Sequence, residues 1–182
     1  MTIGTSGYIE SHKKRNNFIM GVNIDVLELK EGKENATPFK LEDPIWSEYT
    51  GAISIKLDYH NEVFRDVYFI AHTNGKIYCK QSKWHSSNWW FIVTNTDKKN
   101  ATFYARPGLA DSSWITFESG NYPGCYLKLG YEEKYLVWVW RWWPPSWWEE
   151  RTRYVEKLCI ISRGDSNDSE VEFNSRATFR FV

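Results

Sequence analysis

The chain has 182 residues, with 23 Lys plus Arg balanced by 23 Asp plus Glu, so no net field draws it to a polyanion and nucleic acid is not an expected partner. That length suits one domain, 1–182, able to bury about 70% of the surface its unfolded chain exposes. Three cysteines, Cys79, Cys125 and Cys159, form an odd set that reads as free thiols in a reducing compartment, not as a disulfide framework.

Taken in chain order, Met1–Arg15 lacks the apolar core of a signal peptide, and no run of about 18 apolar residues follows anywhere. As written, the sequence reads as cytoplasmic, and unconventional secretion is compatible with it. Short strands are predicted at Tyr8–Ser11, Phe18–Val22 and Val26–Lys30, ending in Ala36-Thr37-Pro38-Phe39. Alternation of Ile53, Ile55 and Leu57 with Ser54 and Lys56 predicts a strand with one buried face. Val67–His72 is a strand apolar on both faces, and Asn74-Gly75 turns it into Lys76–Lys80. Ala101-Thr102-Phe103 repeats the earlier triplet, Ile115 and Phe117 begin another alternating strand, and Ala177-Thr178-Phe179 closes the chain.

Helical periodicity is almost absent, and β-branched and aromatic residues dominate the apolar runs, so the class is all-β. The triplet divides the chain into three units of about four strands, 1–46, 47–110 and 111–182. Threefold repetition of short strands selects a β-trefoil over a sandwich. Asn35-Ala-Thr, Asn100-Ala-Thr and Asn167-Asp-Ser match the glycosylation pattern, but the first two fall on the repeat's own Ala-Thr.

The third unit reads Phe117-Glu118-Ser119-Gly120-Asn121-Tyr122-Pro123-Gly124-Cys125-Tyr126-Leu127, which resembles the AbfB domain, the arabinose-binding β-trefoil attached to arabinofuranosidases. The resemblance is specific over about 40 residues and pattern-level elsewhere. It implies a trefoil that binds sugar without catalysis, through a His after the turn and an Asp on the next strand. The His position falls on Gly21, His72 and Leu129 in turn. The Asp position falls near Lys30, at Lys80, and at Trp138 or Trp140, unless gaps bring in Asp97 and Asp165. Two furanose pockets therefore read as degenerate, and the remnant site is His72, Asn74 and Asp97. His72, Cys79 and His85 lack the paired spacing of a zinc site, and neither metal nor cofactor is expected.

Six of the 11 Trp lie in an insertion placed at about 131–157. Leu136, Trp138, Trp140 and Trp142 alternate with Val137, Val139 and Arg141, Pro144-Pro145 breaks the run, and Trp147–Val155 returns as a hairpin. Trp138, Trp140, Trp142, Trp143, Trp147 and Trp148 would form an aromatic platform or cover one end of the barrel. Indole suits sugar stacking and protein hot spots alike; membrane insertion is disfavoured by Glu149 and Glu150. Four scattered His supply no catalytic constellation, so the chain is not read as an enzyme. Two functions stand: a lectin-like glycan binder, and a module that dimerises or docks a protein through 138–148.

Overall fold

The computed structural model describes residues 3–23, 26–58, 67–71, 75, 77–81, 94–140 and 148–182. Its strands are β1 (Ser6–Gly7), β2 (Ile9–Ser11), β3 (Asn17–Asn23), β4 (Val26–Glu31), β5 (Phe39–Glu42), β6 (Ser54–Leu57), β7 (Val67–Ala71) and β8 (Ile77–Gln81). They continue as β9 (Phe103–Pro107), β10 (Ile115–Ser119), β11 (Cys125–Trp140), β12 (Trp148–Ser162) and β13 (Phe179–Phe181). All neighbouring strands pair antiparallel, so each can bury one face and leave the other to water.

The Phe of each Ala-Thr motif holds the barrel shut. Phe39 lies between Gly7 and Leu57, Phe103 between Ile53 and Ser119, and Phe179 between Ile115 and Ser11. One pairing thus occurs three times, and the last returns the end of the chain to its start. All three rings are fully buried, as are Ile9 and Ile55, with Phe117 beside them. Each such side chain contributes about 1.5–3 kcal/mol by leaving water. Ile19, Phe69 and Leu127 fill the next layer. The architecture is all-β with a closed barrel.

Two turns repeat atom for atom. The Ser11 hydroxyl accepts from the Lys14 N–H and the Glu10 carboxylate from the Asn16 N–H. Ser119 accepts in the same way from Tyr122, and Glu118 from Gly124. Asn16 (φ 59°) and Gly124 (φ 77°) then hold the same left-handed place, a conformation that Gly adopts freely and Asn tolerates.

Among the described residues two short helices interrupt the strands where periodicity gave no signal: α1 (Asn95–Asn100) and α2 (Glu170–Arg176), with a 3-10 turn at Lys33–Asn35. Each directly precedes an Ala-Thr motif. Their cause is local: Thr94 and Ser169 accept from the Asp97 and Glu172 N–H groups. Thr102 and Thr178 donate to the Lys98 and Asn174 carbonyls and so finish the helices. In the second and third copies the Thr of the repeat is a helix terminator as well as a barrel residue.

β11 and β12 are 16 and 15 residues long. Their register runs from Cys125↔Ser162 to Trp140↔Trp148, with an irregularity between Leu129 and Glu132. Among the described residues the outermost pairing of β12 to another strand is Lys157↔Glu28.

Candidate functional site

Helix α1 ends at a polar seam between the second and third copies of the motif. Asp97 occupies the first turn: its carboxylate accepts from the Thr94 N–H at 3.3 Å and the Thr94 hydroxyl at 3.1 Å, completing a reciprocal cap. That cap orients the helix so that its last residue, Asn100, turns inward and is only 4% exposed. The Asn121 amide nitrogen donates to the Asn100 oxygen at 2.6 Å. Among the described residues nothing accepts from the Asn100 Nδ2 or donates to the Asn121 Oδ1. Reversing both amides would still leave one donor group and one acceptor without a partner. A buried amide left this way costs about 1–3 kcal/mol, which a ligand hydroxyl could recover by accepting from one group and donating to the other.

Aromatic rings adjoin this pair. The Gly120 N–H is fixed to the Thr102 carbonyl at 2.8 Å, and the Tyr49 ring packs so close that a Cβ at Gly120 would lie 2.9 Å from it. Tyr49 and Tyr104 are half-buried, their centroids 6.3 Å apart with a 39° tilt. The Arg106 guanidinium lies 4.7 Å over Tyr104 and bonds Glu118 at 2.9 Å. On the other flank Lys99 lies 5.0 Å over Trp46.

The corresponding position in the third copy is closed by charge. Arg176, which precedes Ala177-Thr178 as Asn100 precedes Ala101-Thr102, bonds Glu172 at 2.7 Å and the Gly130 carbonyl at 2.8 Å. Lys13 reaches Glu172 from the opposite side at 2.6 Å. The hydrogen bond from Lys13, then that from Arg176, holds the Glu172 carboxyl below its ordinary range. Behind them Lys128 pairs with Asp168 in the interior, and burial pushes the nearby Cys159 thiol up to about 11. In the first copy the equivalent Asn35 is exposed and donates to the Glu31 carbonyl.

The registers Glu10↔Phe18, Lys56↔Tyr68 and Glu118↔Tyr126 align the second strand of each copy. They bring Gly21, Ala71 and Leu129 to one position. His72 and Asn74 themselves lie outside the described residues, as do His85, Trp142, Trp143 and Trp147. Asp97 is described, and its carboxylate is engaged in the helix cap. Trp138 lies opposite Glu150 in the β11–β12 register, and Trp140 opposite Trp148. Cys125 and Cys159 are free thiols.

Sequence reasoning passed over Asn100 and Asn121. The first stood only within a glycosylation pattern and the second only within the turn motif. The available signal was the Thr94-to-Asp97 cap, which ends a one-and-a-half-turn helix on Asn100.

Residues 65–137 match the family model of the alpha-L-arabinofuranosidase B (ABFB) domain. The chain is similar in structure to an arabinofuranosidase complexed with arabinofuranosyl-alpha-1,2-xylobiose, at TM-score 0.67 and 12% identity, over 100% of this chain and 31% of that one. It is similar to a GH54 a-l-arabinofuranosidase soaked with a cyclic sulfate inhibitor, at TM-score 0.64, 14% identity and the same coverage. It also resembles a Gallus interleukin-1 beta mutant, at TM-score 0.56 and 12% identity, over 100% of this chain and 97% of that one. The chain thus spans under a third of the arabinofuranosidases it resembles. No curated protein matches it in sequence. These likenesses are of fold, and a closed all-β barrel shared with both groups is consistent with a β-trefoil. The segment 65–137, which holds Asn100, Asn121 and the Phe117–Leu127 motif, carries the AbfB-domain pattern.

Proposed function

We propose that this chain is a non-catalytic carbohydrate-binding domain of AbfB type whose working pocket lies at the end of the second copy. The buried Asn100 amide, lacking a partner among the described residues beyond its bond to Asn121, carries the reading. His72 and Asn74 join it in this proposal. In the third copy Arg176 touches the carbonyl of Gly130; by its place before the Ala-Thr motif Asn100 is the counterpart of Arg176, and counting along the sequence from Ala71 and Leu129 pairs His72 with Gly130. An amide and an imidazole together suit vicinal hydroxyls, since each can donate and accept. The other two pockets are degenerate in this reading: ion pairs fill the third, and Asn35 turns outward in the first.

The test is calorimetry with L-arabinose and with arabinofuranosyl-substituted xylooligosaccharides. Binding by the native chain that is lost in Asn100→Ala and His72→Ala, with cooperative unfolding retained, supports the assignment. Native protein that binds neither sugar refutes it.

A second reading rests on the long register of β11 and β12. Pairing continues to Trp140↔Trp148, beyond the outermost described pairing of the ribbon to the barrel at Lys157↔Glu28. A ribbon bearing Trp138, Trp140, Trp142, Trp143, Trp147 and Trp148 suits a protein interface or a second copy of the chain. Sedimentation of the native chain, showing a dimer or a strict monomer, decides whether self-association occurs.

A further inference from the structure

We propose that Tyr49 and Tyr104 form a second subsite, which takes the next sugar of an oligosaccharide whose terminal residue sits at Asn100; this rests on the sugar-binding reading above. The path between the two is continuous. Asn121, bonded to Asn100 at 2.6 Å, follows Gly120, and the Tyr49 ring lies against Gly120 so closely that no side chain fits between. Tyr104 stands 6.3 Å beyond. Both rings are half-buried, unlike the core rings Phe39, Phe103, Phe117 and Phe179, which are sealed from water.

Their setting is rigid, which keeps the ordering cost of binding low. Arg106 lies over Tyr104 while its guanidinium is tied to Glu118, and Glu118 is itself anchored by the Gly124 N–H at 3.0 Å. The Tyr49 N–H is held by the Trp46 carbonyl, and the Ala52 N–H by the Tyr49 carbonyl. A pyranose ring presents an apolar C–H face that stacks on an aromatic ring, and a phenol hydroxyl at the rim can bond the sugar's edge. The orphaned amides at Asn100 would fix the terminal residue, and the two tyrosines would read chain length.

The experiment compares arabinose with arabinofuranosyl-xylobiose by calorimetry on the full chain. Arabinofuranosyl-xylobiose should bind the native protein roughly 3- to 10-fold more tightly than arabinose, the gain of one stacking contact. Tyr49→Ala and Tyr104→Ala should abolish that advantage and leave arabinose affinity unchanged, whereas Tyr49→Phe, which keeps the ring, should retain it. The unfolding midpoint of Tyr49→Phe serves as the folding reference. Arabinose binding without any oligosaccharide advantage overturns this subsite alone. An advantage that survives the double Tyr49→Ala/Tyr104→Ala change overturns it as well. Failure of the native chain to bind either sugar overturns the pocket at Asn100, and the subsite falls with it.

Discussion

Lys128 and Asp168 form an ion pair in the interior, their side chains 3% and 1% exposed. Ser166 joins both: its hydroxyl accepts from the Lys128 ammonium at 3.0 Å and donates to the Asp168 carboxylate at 2.9 Å. The Phe173 ring lies 5.3 Å from the ammonium. A buried pair adds little net stability over an apolar pair of the same shape, but removing one member strands a charge in a low dielectric. Lys128→Met should therefore cost about 3–5 kcal/mol in urea unfolding. The double change Lys128→Met/Asp168→Leu should restore most of that loss.

Asn100 and Asp97 should separate binding from folding. Asp97 caps α1, and Asp97→Ala should lower stability by about 1 kcal/mol while sugar affinity, measured by calorimetry, stays as in the native chain. Asn100→Ala should abolish affinity at a comparable stability cost, since it removes one hydrogen bond worth about 1 kcal/mol. Lost affinity in Asp97→Ala with α1 intact by hydrogen exchange would place Asp97 itself on the ligand.

Glu118 gives the protein an acid-sensitive turn. Burial opposes its ionisation, but the Gly124 N–H and the Arg106 guanidinium outweigh burial and hold the carboxyl below its ordinary 4.5. A depressed carboxyl contributes stability that is present above the unfolded value and is lost as pH falls through the folded one. The native urea midpoint should thus drop more steeply below about pH 4.5 than that of Glu118→Gln. Parallel slopes for the two proteins would show that the carboxylate contributes no such stability.

Cys159 should be inert while the chain is folded. With its thiol pushed up to about 11 by burial, the thiolate fraction at about pH 8 is on the order of one in a thousand. Iodoacetamide should label Cys159 far more slowly in the folded chain than in denaturant. Cys125, half-buried like Cys159 and with its thiol raised by burial and then by Asp165 and Glu118, should also label slowly in the native state.

The barrel was legible because its signals are local and repeated. Alternation at Ile53, Ile55 and Leu57 marks a strand whatever surrounds it, and three copies of Ala-Thr-Phe declare that the same seam is built three times. The helices were less legible, since six or seven residues are too few for apolar periodicity, and only the Thr94 and Ser169 caps announce them. The site was hardest to read. Counting placed the family His on residue 72, just past the end of β7 at Ala71 and outside the described residues. Asp97 attracted attention because a gap brings it to the family's Asp position, whereas Asn100 is polar by composition and buried only through tertiary packing.

Excision of the ribbon distinguishes its two possible roles. Replacing residues 133–155 by an Asn-Gly turn joins Glu132 to Glu156, which already face each other in register, and that turn suits two antiparallel strands. The described pairings that close the barrel, from Gly7↔Phe39 to Phe179↔Ser11, use none of the excised residues. The shortened chain should therefore unfold within about 0.5 kcal/mol of the native one and bind sugar with unchanged affinity, because Asn100, Asn121 and Tyr49 also lie outside the excision. Any dimer seen by sedimentation of the full chain should disappear. Sugar affinity lost together with the ribbon, at unchanged stability, would instead move the indoles into the glycan site and remove the case for an interface of their own.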